Sequence, residues 1–412
     1  MEFRRSSPVL DFFSRQTVFL TGSTGGLGGC LLYKLVVTLG VAKVFALVRG
    51  DAATAKRKWA ASMGKSKSED ILGTGKIVFI PGDITKPSLG MFPEHCAEVQ
   101  DSVSLIIHAA ADINFRDPLP VLVANNTSST LELASMARDF KKLHLFVHVS
   151  TAYVNSFLED SEVAEEVYRV GDPEKEIADI TAGRGSGRVE AYPWPYGYSK
   201  HLTEQLLTLK FPRMPLLIVR PSSIGPAAQV PFPQYMPAAS SPLSNFYARL
   251  LFPTGGINTF PPCRGSASGT NVLDEIPVDL VANILLQHTY RRTMGVVHAS
   301  SSLYVPKILD DYLADARRHA PASWRPRMAQ NIFSTDNRLG TGKLANFYAV
   351  LSRDWRFRTS RSRDLDQGGI LGLSLNGHDP EKYVEDRLRA IVKQAKQRFK
   401  ADDQSMIEEP RL

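Results

Sequence analysis

Tyr196 and Lys200 stand four residues apart in the segment YGYSK. On a helix that spacing puts both side chains on one face. A phenol beside an ammonium is a proton-handling pair: the cation favours the phenolate, lowers the tyrosine's pKa and brings proton exchange towards neutrality. Tyr198, two residues from the lysine, falls on a different face. Upstream, Ser150 and Thr151 close the apolar run HLFVHV, where a strand-end hydroxyl can position a substrate oxygen. A Tyr-x-x-x-Lys spacing recurs by chance, so its weight depends on what accompanies it.

A glycine turn accompanies it. Thr21-Gly-Ser-Thr-Gly-Gly-Leu-Gly28 follows the apolar run TVFLT and opens the periodic segment CLLYKLVVTL. Gly22, Gly25 and Gly28 permit a tight turn and let backbone N–H groups approach a diphosphate at a helix N-terminus. Ser23, Thr24, Gly26 and Leu27 complete this candidate dinucleotide cradle. The second apolar run ends at Arg49. An NAD-selective site often carries an acid at this strand tip, whereas a guanidinium pairs with a 2′-phosphate, which predicts NADPH over NADH. Gly82-Asp83 follows the third run, where Asp83 can approach an adenine edge or cap a turn. A bound dinucleotide would supply the hydride chemistry that the proton-handling residues serve.

The elements that must position these groups are legible as alternation. Apolar runs at 17–21, 43–48, 76–80, 103–108, 144–149 and 215–219 predict strands. Periodic segments after the glycine turn, at about 119–139 and at about 196–209, predict helices. Strands alternating with helices indicate an α/β fold with a mostly parallel sheet covered on both faces. Residues 171–195 are expected to be an irregular excursion. Residues 221–271, rich in Pro, Gly and Ser, are expected to supply substrate-binding segments with a helix near 243–251. A helix at 277–289 and a strand at 296–300 close a core spanning 16–300, after an N-terminal extension at 1–15. Residues 301–412 are expected to form a smaller, mainly helical region. Its last helix carries an apolar stripe (Val384, Leu388, Ile391, Ala395, Phe399) packed on its own protein, with Arg387, Lys393, Lys396 and Arg398 on a solvated basic face.

Composition narrows the setting. The chain has 412 residues, 43% hydrophobic and 22% charged, enough for a sizeable core and unlike a collagen or a disordered chain. Its net charge of +7 is dispersed, with no zinc-finger or RNA-binding signature, so no nucleic acid is expected. A phosphate-bearing ligand accounts for the excess as well. Cys30, Cys96 and Cys263 form neither a disulfide framework nor a metal-ligand pair, so no metal is expected and a reducing compartment is. No apolar run is long enough for an integral membrane segment, and no signal core is present, which predicts a cytoplasmic protein. The closing Pro410-Arg411-Leu412 faintly resembles a peroxisomal address.

The ordered segments TGSTGGLG (21–28), LVRG (47–50), GD (82–83), HAAADINF (108–115), FVHVSTAYVNS (146–156), YGYSK (196–200), IVRPSSIGPA (218–227) and VLDEIPVDLVANILL (272–286) resemble the extended short-chain dehydrogenase/reductase superfamily. They look most like its fatty acyl-CoA reductase (male sterility) and carboxylic-thioester reductase branch. The resemblance implies a Rossmann-like sheet holding NADPH. It casts the three glycines as diphosphate ligands, Arg49 as the reader of the adenosine phosphate, and Asp83 with Ile84 as the adenine side. Ala109, Ala110 and Ala111 would run beneath the cofactor, and Pro221, Ser222, Ser223 and Ile224 near the nicotinamide. Thr151 would be the catalytic hydroxyl with Ser150 as alternate, and Tyr196 and Lys200 the catalytic pair, also touching the cofactor. Asn126 matches a helix-start asparagine, although Ser129 replaces the family's usual glycine.

The implied activity is reductive release of an acyl thioester, on coenzyme A or an acyl-carrier protein, to an aldehyde, and onward to an alcohol if a second hydride is transferred. The carrier could be a domain of a polyketide, peptide or fatty-acid synthase. With no membrane segment in the tail, a substrate shorter or more decorated than a long fatty acid fits. The turn Pro231–Tyr235 would offer aromatics to an acyl tunnel, and Arg116 and Arg249 could approach a carrier phosphate. The alternatives are an extended reductase or epimerase acting on a free carbonyl, alcohol or nucleotide sugar, and a non-catalytic NADP-binding protein.

Overall fold

Seven parallel strands run through the middle of the protein: β1 (Thr17–Thr21), β2 (Lys43–Val48), β3 (Ile77–Pro81), β4 (Leu105–His108), β5 (Leu145–Val149), β7 (Leu216–Pro221) and β11 (Gly295–Ala299). The order across the sheet is β3-β2-β1-β4-β5-β7-β11. The computed structural model describes residues 7–114, 117–237, 240–253, 255–335 and 350–407, with side chains in the last segment to residue 396. Alternate residues of each strand face opposite sides. Val18, Leu20, Val44, Ala46, Leu105 and Ile107 pack with Leu31 and Leu32 of the helix Gly26–Tyr33 and with Val281 and Leu285 of the helix Val278–Tyr290. Phe19, Phe45, Ile106 and Phe146 face Val99, Leu133, Ala137 and Leu207 on the other side. Each fully buried side chain of this kind contributes roughly 1.5–3 kcal/mol. A one-residue slip would turn every one to the wrong face, so the register is fixed. In that register Thr21 pairs with both Leu47 and His108, which brings three strand ends to one level.

Two expected segments differ in detail. The helix expected over 119–139 is Leu119–Leu122, a π-helical turn Val123–Ser128, then Ser129–Ala137. Ser129 Oγ donates to Asn125 O and Thr130 Oγ1 to Asn126 O, at 2.5 and 2.6 Å, so side chains compete for the carbonyls of that turn. The excursion at 171–195 contains a helix, Pro173–Thr181. Asp172 caps it by accepting from the N–H groups of Glu174 and Lys175, and Pro173 presets its first turn.

Later residues are tied into the core by short pairings. β6 (Glu162–Val163) pairs with β13 (Arg356–Phe357), β8 (Ser223–Gly225) with β10 (Glu275–Pro277), and β9 (Ile257–Phe260) with β12 (Gln330–Phe333). The helices Pro242–Leu251, Leu309–His319 and Pro380–Ile407 share a separate apolar cluster around Phe246, Tyr247, Tyr312 and Leu388. Val384, Leu388 and Ile391 pack as their stripe predicts, and Phe399 lies outside the described side chains. Arg387 departs from expectation. It is buried, not solvated, and pairs with Glu275 through two hydrogen bonds of 2.6 and 2.8 Å. A buried guanidinium needs such a partner.

Candidate active site

A cavity of about 950 Å³ opens over the carboxyl ends of the strands, around the point between β1 and β4 where the strand order reverses. Open α/β sheets bind ligands at that place. Thr21, Gly22, Thr24 and Gly25 form one wall, Arg49 closes the tip of β2, and Asp83 and Ile84 follow β3. Ala109, Ala110 and Ala111 continue from β4. Gly22 has φ +75°, and a Cβ there would sit 2.7 Å from the Ala109 carbonyl carbon. A Cβ on Gly28 would sit 2.0 Å from Gly22 O, so Gly28 lets the helix pack directly under the turn. The helix Gly26–Tyr33 has no side-chain cap. Its first-turn N–H groups therefore suit a diphosphate. Ser23, Gly26 and Leu27 lie behind this surface. Ser23 O accepts from the Trp59 indole at 3.0 Å, Gly26 O accepts from Tyr235 Oη at 3.3 Å, and Leu27 joins the core. These features fit a bound dinucleotide.

The floor of the cavity is held by a buried histidine whose tautomer follows from its partners. Thr130 Oγ1 already donates to Asn126 O, so His108 Nε2 donates to Thr130 Oγ1 (3.0 Å). His108 Nδ1 then accepts from Thr21 Oγ1 (2.8 Å), which in turn accepts from Ala110 N (3.1 Å). Burial, aided by the charge of Lys200, pushes the His108 pKa down to about 3, so the ring is neutral. Asp83 Oδ1 accepts from Thr85 N and Oγ1, which holds its carboxyl below the usual range.

A second cavity of about 190 Å³ adjoins the first along Ile113, Ser240 and Pro242, which line both. Ile113 is 55% exposed, an apolar side chain standing at the junction. Ser150, Thr151, Tyr196 and Pro221, Ser222, Ser223 and Ile224 line the smaller cavity. Thr151 begins a short helical turn and accepts from Tyr153 N at 3.3 Å. Tyr196 sits in the first turn of the helix Pro195–Lys210, begun by Pro195.

One turn on, Lys200 is buried. Its Nζ donates to Val149 O at 2.8 Å and lies 3.1 Å from His148 Nε2. Burial lowers its pKa to about 7, against partial support from Glu204. The helix is fixed from behind by a fully buried pair, Arg220 donating to both Glu204 oxygens. Burial opposes the Glu204 charge, but the guanidinium outweighs it and keeps the carboxyl below its usual range.

The Tyr196 phenol moves opposite to expectation. Burial, then the charge of Asp112, push its pKa up, and the ammonium expected to lower it is turned towards Val149 and His148.

Several predicted residues stand apart from the cavities. Asn126 is 1% exposed, and its side chain clamps the Asp112 backbone, accepting from Asp112 N (2.7 Å) and donating to Asp112 O (3.0 Å). Tyr198 donates to Glu176 at 2.7 Å on another face of its helix. Phe232 and Tyr235 pack in the core beneath the glycine turn and line neither cavity. Arg249 lines the larger cavity, and Arg116 lies outside the described residues. Sequence reasoning assigned no role to Asp112, Asp274, Tyr153, Trp355 or Phe357, all of which line one cavity or the other. Asp274 lay within a recognised segment. So did Asp112 and Tyr153, whereas Trp355 and Phe357 had no local signal.

A family model for male sterility proteins, an NAD-binding domain, matches residues 20–285. Fatty acyl-CoA reductase 1 of Xenopus laevis is 32% identical over 297 residues, covering 68% of this chain and 55% of its own length. The chain thus spans about half of that relative. Among solved structures, the reductase domain of a nonribosomal peptide synthetase from Mycobacterium tuberculosis superposes with TM-score 0.65 at 19% identity, covering 94% of this chain and 95% of its own. UDP-glucuronic acid 4-epimerase from Bacillus cereus, in complex with NAD, gives 0.57 at 14%, covering 92% and 99%. At these identities the structural likeness bears on the fold. The family match over most of the strand-and-helix core, with the glycine turn and the Tyr196–Lys200 helix inside it, places this chain in the male sterility protein family, with the nicotinamide-dinucleotide domain of that family as its core.

Proposed function

We propose that the chain reduces an acyl thioester to an aldehyde and a free thiol at the expense of NADPH. The observation that carries this reading is the junction of the two cavities. The strand-end trough suited to a dinucleotide meets a small pocket in which Thr151 and Tyr196 present hydroxyls. A bound nicotinamide dinucleotide supplies a hydride to the thioester carbonyl carbon. Thr151 and Tyr196 donate hydrogen bonds to the carbonyl oxygen as its charge grows. When the C–S bond breaks, that oxygen returns to a carbonyl, so the step to the aldehyde consumes no proton there. A phenol that stays protonated suits this task, and Tyr196 has its pKa raised by burial. The departing sulfur takes a proton from solvent.

Arg49 at the β2 tip supports NADPH over NADH. The acid nearest to it in sequence, Asp51, is occupied in capping the helix Ala52–Gly73 through Thr54 N. In this reading residues 16–300 hold the dinucleotide, the segments within 221–271 and the region from 301 shape the acyl side, and a coenzyme A or carrier-protein arm enters from solvent. The cytoplasm is the proposed compartment, consistent with three free cysteines. No helix among the described residues is long and apolar enough to cross a membrane.

The test is incubation of the purified chain and NADPH with acyl-CoA and acyl-carrier thioesters, free ketones and nucleotide sugars. NADPH oxidation, thiol release and product mass are followed together. One thiol and one aldehyde per NADPH is the expected result, or one alcohol per two NADPH if the aldehyde is reduced further. Oxidation confined to ketones, without thiol release from any carrier, would overturn the proposal.

A further inference from the structure

One side of the smaller cavity is aromatic, and two of its rings reach it from far along the chain. Trp355 and Phe357, both nearly buried, face Tyr153 edge-on with ring centroids 6.2 and 5.8 Å away. This wall is held rigidly. β13, which begins one residue after Trp355, pairs with β6. Trp355 Nε1 donates to Leu158 O at 3.1 Å. The Arg353 guanidinium lies 4.8 Å over the indole while donating to Asp160 at 2.6 Å and to Leu158 O at 2.7 Å. Ala152 and Val163 are buried in the same cluster as the rings. The hydroxyls of Ser150, Thr151 and Tyr196 line the cavity that this wall bounds.

Size then decides what the cavity admits. A 150 Å³ apolar cavity takes a benzene ring, so the 190 Å³ here covers about eight carbons before an acyl group meets a wall or solvent. A sixteen-carbon tail needs about twice that. Lengthening the chain beyond the wall requires either displacing a pinned tryptophan or leaving the further methylenes unburied.

We propose that Tyr153, Trp355 and Phe357 form a size stop that restricts the acyl group to a compact one, a chain of about eight carbons or a single ring. The inference deepens the thioester-reductase reading and rests on it.

The test compares hexanoyl-, benzoyl-, dodecanoyl- and hexadecanoyl-CoA in kcat/KM for thiol release. In parallel, melting-temperature shifts are measured with unreactive S-alkyl pantetheine thioethers of the same lengths. The native chain is expected to favour the compact substrates by about tenfold or more. Trp355→Leu, which keeps an apolar side chain, is expected to move the cut-off to longer acyl groups in both readouts. Should that variant not fold, Leu273→Phe narrows the same cavity from another wall and is expected to move the cut-off shorter. Reduction of hexadecanoyl-CoA as efficiently as hexanoyl-CoA, with thiol released, would overturn the size stop and leave the reductase reading standing. Length-dependent stabilisation by thioethers without reduction of any thioester would support the stop and overturn the reductase reading. No turnover and no stabilisation at any length would overturn both.

Discussion

Replacing Arg387 with methionine should destabilise the protein by about 3–5 kcal/mol, because it strands a buried carboxylate. Arg387 comes from the helix Pro380–Ile407 and reaches between three elements. It donates to both oxygens of Glu275 beside β8, and to Ser241 Oγ (3.0 Å) and Ser244 Oγ (2.9 Å) at the start of the helix Pro242–Leu251. Its guanidinium also lies 5.3 Å from the Tyr247 ring. The two side chains of the ion pair are only 3% and 8% exposed, so water does not replace the lost partner. Against a total stability of about 5–15 kcal/mol the loss is large. It should lower the melting temperature by roughly 3–6 °C. The assay is urea and thermal unfolding of the native chain, Arg387→Met, Glu275→Leu and the double variant. The double variant leaves no charge buried, so it should recover much of the loss, giving a coupling energy of several kcal/mol. Glu275 adjoins Asp274, which lines the smaller cavity, so turnover should fall with Arg387→Met as well. A single variant within about 1 kcal/mol of the native chain would refute the reasoning, as would a double variant no better than the single.

Other outcomes follow from the site. Gly28→Ala should abolish dinucleotide binding, since its Cβ would meet backbone at 2.0 Å; unchanged NADPH affinity by calorimetry would contradict the packing argument. Arg49→Ala should weaken NADPH while sparing NADH, and equal losses for both in steady-state kinetics would remove the 2′-phosphate role. Tyr196→Phe should lose about 10²-fold or more in kcat with folding intact, as for other oxyanion donors. Tyr198→Phe, altering a hydroxyl bound to Glu176, should lose far less, and equal losses would overturn the assignment. Lys200 has a folded pKa of about 7, below its ordinary 10.5, so between these values the unfolded chain binds a proton that the folded one lacks. The native chain should therefore gain stability over Lys200→Met as pH rises from about 7 towards 10.5, and a flat difference in urea unfolding would contradict it.

The sheet was legible because parallel strands buried on both faces are written as continuous apolar runs, as in KVFALV and HLFVHV. The glycine turn and the Tyr196–Lys200 spacing were legible because backbone approach and helical periodicity are local constraints. The helix Pro173–Thr181 was hidden by its charge, its apolar face being little more than Ile177 and Ile180. What escaped altogether depended on distant pairing. Trp355 and Phe357 reach the site only because β13 joins β6, nearly two hundred residues earlier, and Arg387 is buried only because Glu275 waits for it. The Tyr196 pKa went the other way for the same reason. Spacing shows that a lysine is near, but not that its ammonium points at Val149 O or that Asp112 lends an opposing charge.

The central claim is that a hydride passes from the dinucleotide trough to a thioester carbonyl in the adjoining pocket. It is tested most directly by mass spectrometry of the products formed from acyl-CoA and NADPH deuterated at the transferable C4 position. One deuterium is expected on the aldehyde carbon for each thiol released, or two on the carbinol carbon if an alcohol forms, with the label lost in step with turnover in Tyr196→Phe. Thiol release giving an unlabelled acid, or NADPH oxidation with every thioester intact, would contradict it.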